Sequence, residues 1–194
     1  QYVALERRAE ALTYHHRDGP LGQVFETLKN RSKSSIAVFG LGVGAIATYA
    51  RTRDDITFYE IDANVEKVAR ETKWFTYLQD CPGQVRVVLG DARVSLSHAP
   101  DHRYDMIIQD AFSSDAIPVH LLTSEAFQLY KTKLTDSGIL VFNITNRYLN
   151  LEPVLANLIQ DAGMIGLIRQ DTERKAEDQK AKKYPSTWVA AVQQ

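Results

Sequence analysis

Carboxylates and glycines recur where short apolar runs stop, and those are the positions at which side chains and bare backbone can reach a ligand. Ile36-Ala-Val-Phe39 runs into Gly40-Leu41-Gly42-Val43-Gly44. Glycines at 40, 42 and 44 let a ligand approach backbone N–H groups that a side chain would cover. Ile56-Thr-Phe-Tyr-Glu60 ends in a carboxylate 20 residues beyond Gly40 (60 − 40), suited to accepting both hydroxyl hydrogens of a ribose. Leu89-Gly90-Asp91-Ala92 follows a third run. There Asp91, with Ala92 beside it, either hydrogen bonds an adenine amino group or caps a helix. A fourth run, Tyr104-Asp-Met-Ile-Ile108, leads to Asp110 and, five residues on, Asp115. Such a pair can hold a cationic substrate and take a proton from its amine, with Asp110 the stronger candidate because it terminates the run directly. The alternative there is an Asp and Ser turn that caps the next helix.

The elements that must position these residues follow from periodicity. Further apolar runs at Ile139-Leu-Val-Phe142, Ile165-Gly-Leu-Ile168 and Thr187-Trp-Val-Ala-Ala-Val192 bring the strand count to seven. Helical spacing appears over 63–78, with Val65, Val68, Ala69, Thr72 and Phe75 on one face, and from Ser124, taken as the cap, to Leu134. A helix is also expected after the glycine turn. Alternating strands and helices build a parallel sheet with right-handed crossovers. Only a charged stretch, residues 171–183, separates the last two strands. It reads as a solvated, mobile loop, so the seventh strand pairs antiparallel with its neighbour. The expected fold is therefore α/β, a Rossmann-like sheet of the class I AdoMet-dependent methyltransferase type. Residues 1–30 form an N-terminal segment and 31–194 the nucleotide-binding transferase domain.

Bulk properties restrict the function classes. The chain has 194 residues, 44% hydrophobic and 24% charged, ordinary values for a globular α/β domain. A formal net charge of -1 argues against a dedicated nucleic-acid or anionic-membrane binder. Cys81 is the single cysteine, which suits a reducing compartment, and cytoplasmic localisation is expected. No apolar run is long enough to span a membrane. His15 and His16 are adjacent, unsuited to two ligands on one metal, and His98, His102 and His120 are scattered, so no metal is called for. Gly40-x-Gly42-x-x-Ala45 also fits a dinucleotide fingerprint. An NAD role is disfavoured because no Tyr is followed four residues later by Lys. Trp74, Phe75 and Tyr77 read as core and interface rather than a base-stacking platform.

With these residues assembled, the chain resembles the spermidine synthase (polyamine aminopropyltransferase) family, especially bacterial spermidine-synthase-like members, from about Tyr14 to Val192. The most specific pieces are Phe58-Tyr-Glu-Ile-Asp-Ala-Asn-Val-Glu-Lys-Val-Ala-Arg70, Leu89-Gly-Asp-Ala92 and the stretch from Tyr104 through Asp110 to Pro118. Tyr184-Pro-Ser-Thr-Trp188 resembles the Tyr-Pro-Ser segment before the family's last strand. Tyr14-His-His-Arg-Asp-Gly19 resembles the end of its tyrosine-bearing substrate segment. The resemblance implies transfer of an aminopropyl group from decarboxylated AdoMet to a small polyamine. Decarboxylated AdoMet, or AdoMet itself, would be the co-substrate. It implies Glu60 on the ribose, Asp91 on the adenine, Asp110 as base, and Tyr14, Asp115 and Tyr184 about the amine. A small-molecule amine is the implied partner, and a homodimer the implied assembly.

The chain departs from the family where the family holds the amine. Val43 replaces the acidic residue that grips the aminopropyl ammonium, a charge-assisted bond whose loss costs on the order of 1.5–3 kcal/mol. Asp115 lies five residues after Asp110 where the family has three. The family's N-terminal β-hairpin domain is mostly missing from these residues. The expectation is a cofactor site like the family's and an amine site unlike it. A small-molecule AdoMet-dependent methyltransferase and a catalytically silent nucleoside-binding module are the alternatives.

Overall fold

The computed structural model describes residues 7, 9–112, 117–146, 149–171 and 176–194. Its frame is a seven-stranded sheet in the order β3-β2-β1-β4-β5-β7-β6. The strands are β1 (Ser35–Phe39), β2 (Asp55–Glu60), β3 (Gln84–Leu89), β4 (Tyr104–Gln109), β5 (Leu134–Asn143), β6 (Met164–Asp171) and β7 (Ser186–Gln193). The helices are α1 (Pro20–Glu26), α2 (Ala63–Arg70), α3 (Ala92–Ser97), α4 (Ser124–Lys133), α5 (Glu152–Asp161) and α6 (Ala176–Ala181).

Strands β1 to β5 are parallel, and β7 runs antiparallel to both its neighbours, β5 and β6. The expected antiparallel last strand is present, inserted between β5 and β6. Alternation along β1 sorts side chains to two cores. Ala37 and Phe39 join Leu96, Phe127, Tyr130, Leu155 and Ile159 beneath α3, α4 and α5. Ile36 and Val38 join Leu21, Ile46, Ala47 and Ala69 beneath α1, the turn after the glycines and α2. Both faces of the central strands are therefore apolar, as parallel sheets require. The described residues include no helix long and apolar enough to cross a membrane.

Several expectations need correction. The glycine turn leads into a five-residue 3-10 turn, Ala45–Tyr49, and not into an α-helix. Ala50 turns extended and Arg51 is bound by the side chain of Asp54, so the chain is already returning to β2. The helix expected over 63–78 stops at Arg70. Its Glu71 cap is extended, and the aromatic and Thr-containing stretch that follows has weak helix propensity. Val68 and Trp74 are exposed rather than packed, while Tyr77 is buried and Leu78 lies against Gly44. Thr123, not Ser124, caps α4, its hydroxyl accepting the Ala126 N–H at 3.2 Å. Strand β5 begins at Leu134, earlier than the run at Ile139, because buried Leu134 pairs with Tyr104 across an irregular register. The charged stretch expected as a loop contains α6. Lys183 closes that region on Asp171 at 2.6 Å and Asp178 at 3.6 Å.

Candidate functional site

Because β3, β2, β1 and β4 are parallel neighbours, their carboxyl ends lie side by side, and each ends in a candidate residue. Backbone hydrogen bonds lock the row. Gly40 N–H donates to Tyr59 O at 2.8 Å, Gly90 N–H to Glu60 O at 2.9 Å, and Asp110 N–H to Phe39 O at 3.0 Å.

The glycine loop has two different reasons for its glycines. Gly40 sits at φ 87°, and a Cβ there would lie 2.9 Å from Asp110 O and 3.1 Å from Ala111 Cα. Only a residue without a side chain lets β1 and β4 approach so closely. Gly42, at φ 53°, is the opposite case: a Cβ would meet nothing within 4 Å. Its surroundings are open, which suits the approach of a ligand. Val43, half-buried, and Gly44 complete the loop.

Glu60 is buried, 8% exposed, and braces this loop. Oε2 accepts the Leu41 N–H and Oε1 the Asp62 N–H, each at 2.9 Å. A carboxylate has about four lone-pair sites, so two acceptor positions remain for hydroxyl groups. Asp91 caps α3 by accepting the Val94 N–H at 2.8 Å, and its second oxygen meets His120 Nε2 at 2.8 Å. Burial pushes its carboxyl up, but the Val94 N–H and His120 outweigh that and hold it below the ordinary carboxylate range. Ala92, buried, opens α3 beside it.

Asp110 is held from two sides. His15 Nε2 lies 2.7 Å from Oδ2, and Asn143 Nδ2 donates to Oδ1 at 2.7 Å. Tyr14 stacks at a tilt on His15, ring centroids 4.2 Å apart. Tyr14 keeps 37% of its surface exposed, and partial burial, then the charge of Asp110, raise its phenol above its usual range. Tyr184 is half-buried at the approach to β7. Its N–H donates to Thr13 O at 3.2 Å, while Thr13 N–H donates to Lys182 O at 2.7 Å. This clasp ties the segment bearing Tyr14 and His15 to the segment bearing Tyr184. Asp115 lies outside the described residues.

The sequence reading missed three members of the site. Asn143 ends β5 as a polar residue after an apolar run, the same signal that marks Glu60 and Asp110. His15 stands in the Tyr14–Gly19 segment and in an adjacent pair unsuited to a metal, and neither pattern gives it a role of its own. His120 comes to Asp91 through the short turn Val119–Leu121, which no local spacing announces. Among the described residues no cluster of three or more His, Cys, Asp or Glu could hold a metal.

A sheet of this order, with a glycine turn after its first strand, an acid ending its second and an antiparallel last strand, defines the class I AdoMet-dependent methyltransferase type of α/β fold. In sequence the chain is similar to polyamine aminopropyltransferases. It is 36% identical over 123 residues to a polyamine aminopropyltransferase of Vibrio vulnificus, covering 60% of this chain and 39% of that protein. A probable polyamine aminopropyl transferase of Bifidobacterium longum is 31% identical over 117 residues, 57% of this chain and 24% of its own. An N-terminal histidine N-methyltransferase of Emericella nidulans is 32% identical over 115 residues, 57% of this chain and 20% of its own. The chain thus matches well under half the length of each of these transferases. No family model matches it. In fold it is similar to spermidine synthase from Thermotoga maritima, with a TM-score of 0.64, 16% identity, and coverage of 87% of this chain and 58% of that one. It is likewise similar to human methyltransferase-like protein 13 in complex with SAH, with a TM-score of 0.62 and 24% identity, covering 86% and 74%.

Proposed function

We propose that this chain binds an adenosine sulfonium and transfers an alkyl group from it to a small amine, in the manner of a spermidine-synthase-like transferase. One observation carries the reading: the glycine loop, Glu60, Asp91 and Asp110 stand on four adjacent parallel strand ends, hydrogen bonded into one row. Open α/β sheets bind ligands at such ends. Gly40, Gly42 and Gly44 leave the backbone bare toward the ligand. Glu60 keeps acceptor capacity for the ribose hydroxyls, and Asp91, beside Ala92, is held ionised for the adenine amino group. The co-substrate, AdoMet or decarboxylated AdoMet, brings an electrophilic carbon on a positively charged sulfur. Asp110 supplies the basic, negative end of the site next to the acceptor amine, with Tyr14, Tyr184 and Asp115 assigned to the amine. A spermidine synthase of the same fold carries the transition-state analogue AdoDATO, and methyltransferase-like protein 13 carries SAH, which supports a ligand of this class.

A second reading, methyl transfer from AdoMet, has its own support in Val43. An apolar side chain inside the glycine loop offers no partner to an aminopropyl ammonium, whereas AdoMet carries a carboxylate beside its own ammonium, so that end of a methyl donor is zwitterionic and calls less for an acidic residue.

Isothermal calorimetry with AdoMet, decarboxylated AdoMet and methylthioadenosine, followed by mass spectrometry after incubation with putrescine, tests both. Binding of decarboxylated AdoMet with an aminopropylated product supports the first reading. Tight binding of AdoMet alone, with no aminopropylated product, replaces it by methyl transfer. Binding of none of the three points to a silent module.

A further inference from the structure

Asp110 is not a free carboxylate, and the way it is held fixes where a proton can go. Asn143 donates Nδ2–H to Oδ1, and its amide cannot be turned round because its own oxygen accepts the Thr145 N–H at 3.0 Å. The other oxygen, Oδ2, faces His15 Nε2 at 2.7 Å. An ionised carboxylate only accepts hydrogen bonds, so the hydrogen between the two belongs to Nε2. The lone pair of a neutral imidazole is thereby placed on Nδ1, since the bond made by one ring nitrogen sets the state of the other. Among the described residues Nδ1 has no hydrogen-bond partner, and it is not among the atoms sealed from solvent. The rest of the side chain is enclosed, with only 10% exposed. Tyr49 OH donates to the His15 carbonyl at 2.6 Å, and the rings of Tyr14 and Trp188 stand at 4.2 and 6.3 Å. The imidazole is held through Nε2 and lies against two aromatic rings, and Nδ1 is the ring nitrogen without a partner among the described residues.

We infer that the proton acceptor of this site is Nδ1 of His15, with Asp110 and Asn143 as positioning residues behind it. The substrate it serves is an amine that must shed a proton as it is alkylated. The inference rests on the sulfonium-transferase reading above and refines the role of Asp110 within it. The acceptor nitrogen forms a bond to the transferred carbon with its lone pair. The carbon–sulfur bond breaks and its electrons remain on sulfur, leaving a neutral thioether. The surplus proton on the alkylated nitrogen passes to Nδ1, and the carboxylate of Asp110 balances the resulting imidazolium until the proton leaves to water. The carboxylate of Asp110, with each oxygen already accepting one bond and only 9% of the side chain exposed, is the less accessible acceptor. The two phenols beside His15 do not compete for the proton. Tyr14 and Tyr49 are both raised above their usual range, first by burial, and remain neutral. Arg17, stacked on Tyr49, only partly opposes that rise and is itself no acceptor.

Two measurements test this. Long-range proton–nitrogen correlation spectra of histidine-labelled protein read the tautomer without any turnover. The expected result is His15 protonated at Nε2 and bare at Nδ1, and a proton on Nδ1 at neutral pH would overturn the inference. The second uses His15→Gln, whose amide can still donate to Asp110 but offers no basic nitrogen, and His15→Ala. With either sulfonium donor and putrescine, both variants should bind donor within about threefold of the parent yet lose at least about 100-fold in turnover. Added imidazole should restore part of the activity of His15→Ala. An active His15→Gln, or a His15→Ala that imidazole does not rescue, assigns His15 a purely structural role. Failure of the parent to bind either donor sinks the transferase reading instead, so the two failures are separable.

Discussion

At the scale of single residues, the chain's acids divide by what already holds them. Glu60, Asp91 and Asp110 face the strand ends, whereas Asp54 is given over wholly to structure. Asp54 is 2% exposed, and its two oxygens accept the Ser34 N–H, the Arg51 N–H and the Arg51 guanidinium. That guanidinium also donates to the carbonyls of Leu28, Lys29 and Arg31. Burial pushes the Asp54 carboxyl up, but the bonds from Arg51 and Ser34 outweigh it and leave it below its ordinary range. A carboxyl depressed in the folded state stabilises above its unfolded pKa, and that contribution fades as pH falls through the folded value. Asp54→Asn should therefore cost about 3 kcal/mol at pH 7. The gap to the parent should narrow below about pH 4, where unfolded aspartate protonates. Urea unfolding at pH 7 and pH 3 checks this, and an equal gap at both pH values would show that charge is not the source.

At the scale of elements, the glycine loop does its positioning without an α-helix behind it. The five-residue 3-10 turn is too short to carry a substantial macrodipole, so in the proposed function binding falls to the loop's exposed backbone, braced by Glu60. The loop's shape depends on Gly40. An alanine there would be strained by its positive φ and would press on the backbone of Asp110 and Ala111. Gly40→Ala should destabilise the fold by about 1–3 kcal/mol. It should also weaken nucleotide binding, because relief of the clash moves β1 from β4. Thermal unfolding should register a midpoint several degrees lower. Gly42→Ala meets no protein atom and should leave the midpoint much closer to the parent's while still impairing nucleotide affinity.

At the scale of the whole molecule, the site is closed by pieces far apart in the chain. Residues 9–16 cross to the segment before β7, where Thr13 and Lys183 form a parallel bridge. Thr13 and Lys182 both adopt left-handed backbone, at φ 61° and 60°, a strain that the clasp must hold in place. Arg7 supports it from outside, donating to Ala181 O at 2.9 Å and Lys180 O at 3.4 Å. Arg7→Ala should loosen the clasp without unfolding the sheet. The expected outcome is faster amide exchange at Thr13 and Tyr184 with little change at β1 and β4. Uniform acceleration across the chain would mean that the clasp is part of the global fold instead.

The sequence by itself determined the seven strands, the antiparallel last one and the candidate row of Gly40, Glu60, Asp91 and Asp110. Each is a local signal, since an apolar run, a glycine pair or an acid at a strand end can be recognised without knowing what lies opposite. Helix lengths were less legible, because the end of α2 and the shortness of the turn after Gly44 depend on packing as much as propensity. Only the tertiary structure decided the partners. Asp110 was readable as an acid, but not as an acid held between His15, 95 positions away, and Asn143, 33 positions away. Nor could spacing show that Asp91 meets His120, or that β7 inserts between β5 and β6. Those contacts arise where loops from separate crossovers converge over the sheet, and sequence separation carries no record of that meeting.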